Sequence, residues 1–168
     1  MTLTLDAPVA TQPITVQVHT LPHAPADLPH YATAGSAGMD IRAAIDAPLT
    51  LGSLERTLVP TGLMMMIPEG YECQIRPRSG LSIKLGLTLV NCVGTIDSDY
   101  RDEVKVALIN LSQVPVTIQP GERIAQLLFA PVTRAQWATV SLGNIADSKA
   151  ELTAQGGRQG GFGSTGVH

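Results

Sequence analysis

At 168 residues the chain has room for one ordinary domain with a buried core. It is 44% hydrophobic but only 4% aromatic, so that core must be built from Val, Ile, Leu, Met and Ala. A formal net charge of −3 argues against broad affinity for nucleic acid or a membrane, and an anionic substrate would need a local basic cluster.

Cys73 and Cys92 lack metal-ligand spacing and are too few for a disulfide framework, so buried thiols in a reducing cytosol are expected. No apolar run approaches about 18 residues, and no basic-apolar leader opens the chain. The expectation is a soluble, cytoplasmic protein.

Residues 1–13 mix Thr, Pro and Ala without a period and read as a flexible arm. Ile14 to Val18 alternates as a half-buried strand does. Pro22, Pro25 and Pro29 then exclude regular structure, leaving His23 and His30 as solvated loop histidines. Small residues from Ala34 to Gly38 permit tight turns, and Asp40 and Arg42 share a strand face, where they would pair as ions.

Thr57 to Ile67 is strand-like but punctuated by Pro60 and Gly62, and Met64, Met65 and Met66 read as core filler. Pro68-Glu69-Gly70 is a turn, after which Tyr71 to Ile75 resumes the strand pattern. Short strands at this spacing indicate an all-β domain. Pro77 ends that strand, and Ser79 is placed to cap one or two helical turns running to Lys84. Arg78 and Ser79 there suit either an ordinary helix start or an anion.

Leu85 to Val93 and Val104 to Ile109 read as two strands of a hairpin around Gly94-Thr-Ile-Asp-Ser-Asp-Tyr-Arg101. On the residues alone, Asp97 and Asp99 serve either the turn or chemistry. Gln119 to Glu122 is a further turn, leading into the apolar run Arg123 to Phe129 with Gln126 inside it. Periodicity is lost from Ser141 to Gln155, and Gly156 to Gly166 is too glycine-rich to fold alone, though it carries Phe162.

Five segments share one style of punctuation: Ala37 to Ala43, Pro77 to Gly80, Gly94 to Arg101, Gly121 to Gln126 and Gly160 to Gly166. In order and separation they resemble the trimeric all-β dUTPase family, over residues 14–166. The resemblance implies an all-β fold, a compact distorted barrel or jelly-roll-like domain with one short helix. That domain would span 14–145, with a flexible arm 1–13 before it and a flexible arm 146–168 closing over the active site.

The implied activity is hydrolysis of dUTP to dUMP and pyrophosphate, keeping uracil out of DNA and supplying dUMP for thymidylate synthesis. Asp97 matches the residue that activates water against the α-phosphorus. Arg78, Ser79, Gly80 and Gln126 match phosphate contacts. Asn91, with the main chain around Thr95 and Ile96, matches the uracil site. Tyr100 matches the ring against deoxyribose, and Lys105 a further substrate contact.

In the glycine-rich arm Phe162 would stack on uracil, while Gly163, Ser164 and Arg158 would meet the nucleotide, Arg158 at the terminal phosphate. Magnesium would arrive chiefly through the triphosphate, with Asp40 near it through water. The implied assembly is a homotrimer with shared sites, and neither nucleic acid nor membrane is a partner. Two departures stand out: Asp102 replaces a usual glycine, and Arg158 lies four residues before Phe162 rather than five. A dCTP deaminase of the same fold and a non-catalytic nucleotide sensor are the alternative classes.

Overall fold

The computed structural model describes residues 13–157, which form eleven strands and two helices. In chain order these are β1 (Gln17–Thr20), β2 (Met39–Arg42), β3 (Leu49–Leu51), β4 (Arg56–Pro60), β5 (Leu63–Met66) and β6 (Tyr71–Pro77). Helix α1 (Ser79–Leu85) follows, then β7 (Leu87–Leu89), β8 (Gly94–Ile96), β9 (Lys105–Asn110), β10 (Val116–Ile118), β11 (Arg123–Pro131) and α2 (Leu142–Ala154). Residues up to Thr133 make one compact unit, and those from Arg134 a second.

The strands pair as β2-β11-β6-β8, β4-β9-β7, β1-β5 and β3-β10. The all-β class holds, although these sheets do not close into one continuous barrel. Pro and Gly break the chain into short strands, so the two-stranded ribbons stay separate layers. Between the sheets lie Ile41, Leu51, Val59, Ile75, Val106, Leu108, Ile118 and Leu127, all aliphatic, with Tyr71 and Phe129 only at the margin.

Several boundaries differ from the sequence expectation. The first strand begins at Gln17 rather than Ile14, and all four of its positions are exposed. Only one of the three consecutive methionines, Met65, is in the core, because alternation turns Met66 outward. The run Leu85 to Val93 is not one strand: Gly86, at φ 68°, closes α1, and Cys92, at φ 56°, turns the chain after β7. The polar octet is not a simple hairpin tip either, since Gly94–Ile96 leaves the β7-β9 sheet and pairs with β6.

Residues 146–154, read as part of a flexible arm, belong to α2. A reciprocal capping box between Ser141 and Asn144 starts this helix, and none of its residues is buried. Local hydrogen bonds and caps sustain it rather than an apolar stripe, which is why no helical period marks the sequence.

The two cysteines part company. Cys73 is buried in the core, and burial pushes its thiol up to about 12. Cys92 is exposed, against the expectation of two buried thiols. At neutral pH a thiol reagent should therefore modify Cys92 alone in the native protein, with Cys73 reacting only after denaturation. Native labelling that survives Cys92→Ser would show that the core around Cys73 opens.

Candidate active site

Two sets of polar side chains are built by neighbouring parts of the fold. The first gathers around Asp40. In β2 the alternation that buries Ile41 turns Asp40 and Arg42 to the other face. Strand β11 runs antiparallel alongside and places Gln126 opposite Asp40, so Gln126 Nε2 donates to Asp40 Oδ1 at 3.3 Å.

Arg123 lies three residues earlier and in a regular strand would point to the opposite face. A register shift between Arg123 and Ala125 inserts one extra residue there, restoring Arg123 to the face of Gln126. Its Nη1 reaches Asp40 Oδ2 at 3.2 Å. Arg78, extended between β6 and α1, donates Nε to Asp40 Oδ1 at 2.9 Å and Nη1 to the Arg123 carbonyl at 3.2 Å.

Arg42 donates instead to the Gly121 carbonyl at 2.8 Å, so the expected Asp40–Arg42 pair is replaced by Asp40 with Arg78 and Arg123. Two guanidiniums on one carboxylate leave a positive charge in excess, on a chain that is negative as a whole. Asp40, Arg42, Arg123 and Gln126 line a cavity of about 140 Å³ together with Pro25, His30 and neighbours of the proline-rich loop. Ser79 and Gly80 stand exposed at the start of α1. Ser79 does not cap it: the N-cap is Arg78, with no side-chain cap bond.

The second set follows β7. After Val90 N donates to the Ala107 carbonyl at 2.9 Å, the chain turns through Asn91 and Cys92. Gly94 is buried, and a Cβ there would sit 3.2 Å from both Asn91 Nδ2 and Ile75 Cβ, so glycine lets the Asn91 amide approach. Strand β8 stands at the edge of its sheet, bonded to β6 on one side only. The main chain of Gly94, Thr95 and Ile96 thus presents an open edge of donors and acceptors beside Asn91.

Asp97 emerges exposed from that edge, and its carbonyl accepts from Tyr100 N at 3.2 Å in a tight turn. Arg101 ties the tip by donating to the carbonyls of Ser98 at 2.6 Å and Tyr100 at 2.8 Å. Asp102, in place of a usual glycine, is not among the residues of positive φ, so the tip accommodates its side chain without backbone strain. Tyr100 Oη donates to the Glu103 carbonyl at 3.0 Å, and Lys105 Nζ lies 3.8 Å from Glu103 Oε2.

Glu103 and His23 were not legible as site neighbours. His23 is no freely solvated loop histidine: its Nε2 donates to Glu103 Oε1 at 2.8 Å, and Gly62 N donates to the same oxygen at 2.8 Å. The two ends of this contact are 80 residues apart, beyond any local pattern. Arg123 was missed for the opposite reason, since strict strand alternation hides it. Arg158, Phe162, Gly163 and Ser164 lie outside the described residues.

Within one chain the two sets do not meet. Ile96 pairs with Cys73, and β8 runs antiparallel to β6, carrying Asp97 away from the end where Arg78 stands. Five residues of strand separate Cys73 from Arg78, roughly 16 Å.

The family model described as dUTPase matches residues 24–166, a span that contains both sets. The chain belongs to the dUTPase family. It is 52% identical to the deoxyuridine 5'-triphosphate nucleotidohydrolase of Finegoldia magna over 139 residues, 83% of this chain and 91% of that one. It superposes with TM-score 0.73 on a mutant dUTPase of Staphylococcus bacteriophage 80alpha with dUpNHpp, at 25% identity, covering 91% of this chain and 99% of that one. A mutant dUTPase from phage phi11 of S. aureus, described as coordinating a structural Mg(II) ion, gives TM-score 0.67 at 24% identity, over 76% and 97% of the two chains.

As a member of the dUTPase family the chain shows no dedicated metal centre among its described residues: no three His, Cys, Asp or Glu groups converge. Asp40 already accepts from Arg78, Arg123 and Gln126, so its carboxylate is not a vacant ligand. A protein-held magnesium does not fit this donor set. Among the described residues no helix is long and apolar enough to cross a membrane.

Partial burial favours the protonated form of Glu103, but hydrogen bonds from His23 and Gly62, with the charges of His23 and Lys105, outweigh it. The carboxyl is held below the usual glutamate range. The unfolded chain therefore binds the proton at higher pH than the native one. The stabilisation is present above the unfolded value and is lost as pH falls through the native one. The melting-temperature gap between wild type and Glu103→Gln should accordingly be widest near about pH 7 and shrink toward about pH 3. A gap independent of pH would mean that the charge contributes nothing there.

Proposed function

We propose that the chain hydrolyses dUTP to dUMP and pyrophosphate, with uracil read by the open edge of β8 and Asn91. The observation that carries this reading is the exposed Asp97 placed directly after that edge. Main-chain donors and acceptors in a fixed strand can pair with one base edge and reject another. Tyr100 would lie against the sugar, where a 2′-hydroxyl would collide, and Lys105 would add a further contact.

In the reaction Asp97 takes a proton from water as its oxygen bonds to the α-phosphorus. The bond from that phosphorus to the bridging oxygen of the β-phosphate breaks, and pyrophosphate leaves. Arg78 and Gln126, with Ser79 and Gly80, hold phosphate oxygens, and Arg123 joins them through Asp40. An incoming triphosphate would compete with Asp40 for the two guanidiniums, so Asp40 keeps them in place until substrate arrives. Magnesium enters as part of the substrate, bound by the triphosphate. Arg158, Phe162, Gly163 and Ser164 complete the nucleotide contacts in this reading.

Asp97 and Arg78 must serve neighbouring phosphates, yet the register of β8 on β6 puts Asp97 beside Glu72, roughly 20 Å of strand from Arg78. Sites assembled from several copies resolve this, and a homotrimer with shared sites is our reading. Trp137, 97% exposed, and Ile83, 88% exposed, are apolar groups that a partner copy would cover.

Pyrophosphate release should be seen with dUTP and not with dCTP or dTTP. Asp97→Asn should retain dUTP binding and lose about 10²–10⁴-fold in turnover. Retention of more than about a tenth of wild-type turnover would remove Asp97 from the role of base. Co-refolding Asp97→Asn with Arg78→Ala tests the sharing of sites. Random assembly of closed oligomers gives about a quarter of sites both intact groups, so activity should return in the mixture although each variant alone is inactive. A mixture as inactive as its parents would place the whole site within one chain.

A further inference from the structure

The carboxylate of Glu103 is where three separate segments meet. Its Oε1 accepts from His23 Nε2 and from Gly62 N, both at 2.8 Å. The adjoining main chain is stitched to the same turn, with Val104 N donating to the Leu63 carbonyl at 2.8 Å and Thr61 Oγ1 donating to the Val104 carbonyl at 2.6 Å. Gly62, at φ 70°, cannot be replaced freely, because a Cβ there would collide with the backbone of Ala24, next to His23. The proline-rich loop is thereby pressed onto the turn that holds Glu103.

What Glu103 holds in turn bears on the substrate. The side chain of Tyr100 is not fixed by the core: the residue is 38% exposed, and its hydroxyl is anchored on the Glu103 carbonyl. Lys105 lies two residues beyond, with its ammonium within 3.8 Å of Glu103 Oε2. Within the clamp the Glu103 side chain is 15% exposed and that of His23 36%.

We propose that Glu103, clamped by His23 and the Gly62 N–H, is a positioning residue that sets the sugar-selecting pose of Tyr100 and the placement of Lys105. The proposal rests on the reading of Tyr100 as the group that lies against deoxyribose. Glu103 touches no substrate. It fixes the carbonyl on which Tyr100 is hung, and a loosened clamp lets the ring retreat from the space a 2′-hydroxyl would occupy.

The test is the ratio of kcat/KM for dUTP to that for UTP, measured for the full chain with Glu103→Ala, Glu103→Gln, His23→Ala and Tyr100→Ala. Loss of the clamp in Glu103→Ala should lower the ratio about tenfold, with KM for dUTP affected more than kcat. Glu103→Gln keeps an acceptor for Gly62 N and His23 and should recover most of the ratio. His23→Ala should fall between, and it decides the matter if Glu103→Ala does not fold. A purely structural carboxylate would lower the melting temperature and leave the ratio unchanged. If Tyr100→Ala lowers the ratio while the folded Glu103 and His23 variants do not, the proposal is overturned and the reading of Tyr100 stands. If Tyr100→Ala itself leaves the ratio intact, the reading of Tyr100 falls and the proposal with it.

Discussion

Strand β11 is the constraint on which the rest of the unit depends. It is the longest strand and pairs with β2 on one edge and with β6 on the other. Its inward residues, Ile124, Ala125 and Leu127, are almost wholly buried, so its register is fixed by the core rather than by the polar groups it carries. With β11 seated, Asp40 is delivered from β2 and Arg78 from the junction after β6 to Gln126 and Arg123. The single register shift near Arg123 then decides how many of those groups share a face. A strand without that shift would offer Gln126 and hide Arg123.

The other half of the machinery depends on interruption rather than continuity. The chain between β7 and β9 departs from their sheet, supplies one short edge strand to the neighbouring sheet and returns. That detour leaves β8 with a ladder neighbour on one side only. An unpaired edge invites unwanted pairing in most proteins, and brevity limits the risk here: β8 is three residues long. Buried Asn110 helps hold the departing sheet. Its amide donates to the carbonyls of Leu51 and Val114 and its oxygen accepts from Ser112 N, so a polar group in the core is fully satisfied.

Much of this was legible in the sequence because local chemistry repeats what the fold requires. Strand-like and apolar runs marked β6, β9 and β11, Pro77 marked the end of β6, and the glycine punctuation marked the segments that carry Arg78, Asp97 and Gln126. What escaped was non-local or irregular. The partners of Asp40 come from residues 38 and 83 positions away, and a neighbouring arginine two positions on was the natural but mistaken choice. His23 gave no signal, since its meaning lies in a glutamate far along the chain. Helix α2 escaped because capping leaves a fainter trace than an apolar stripe. The separation of Asp97 from Arg78 was also invisible, for it follows from which end of β6 each strand approaches.

The near-complete exposure of Trp137 has an optical consequence. The chain holds one tryptophan, and the aromatic rings near the core are tyrosine and phenylalanine. Intrinsic indole emission therefore reports on the segment after Thr133. In the separate chain it is that of a solvated ring, and burial of that ring by any partner would move the spectrum to shorter wavelength.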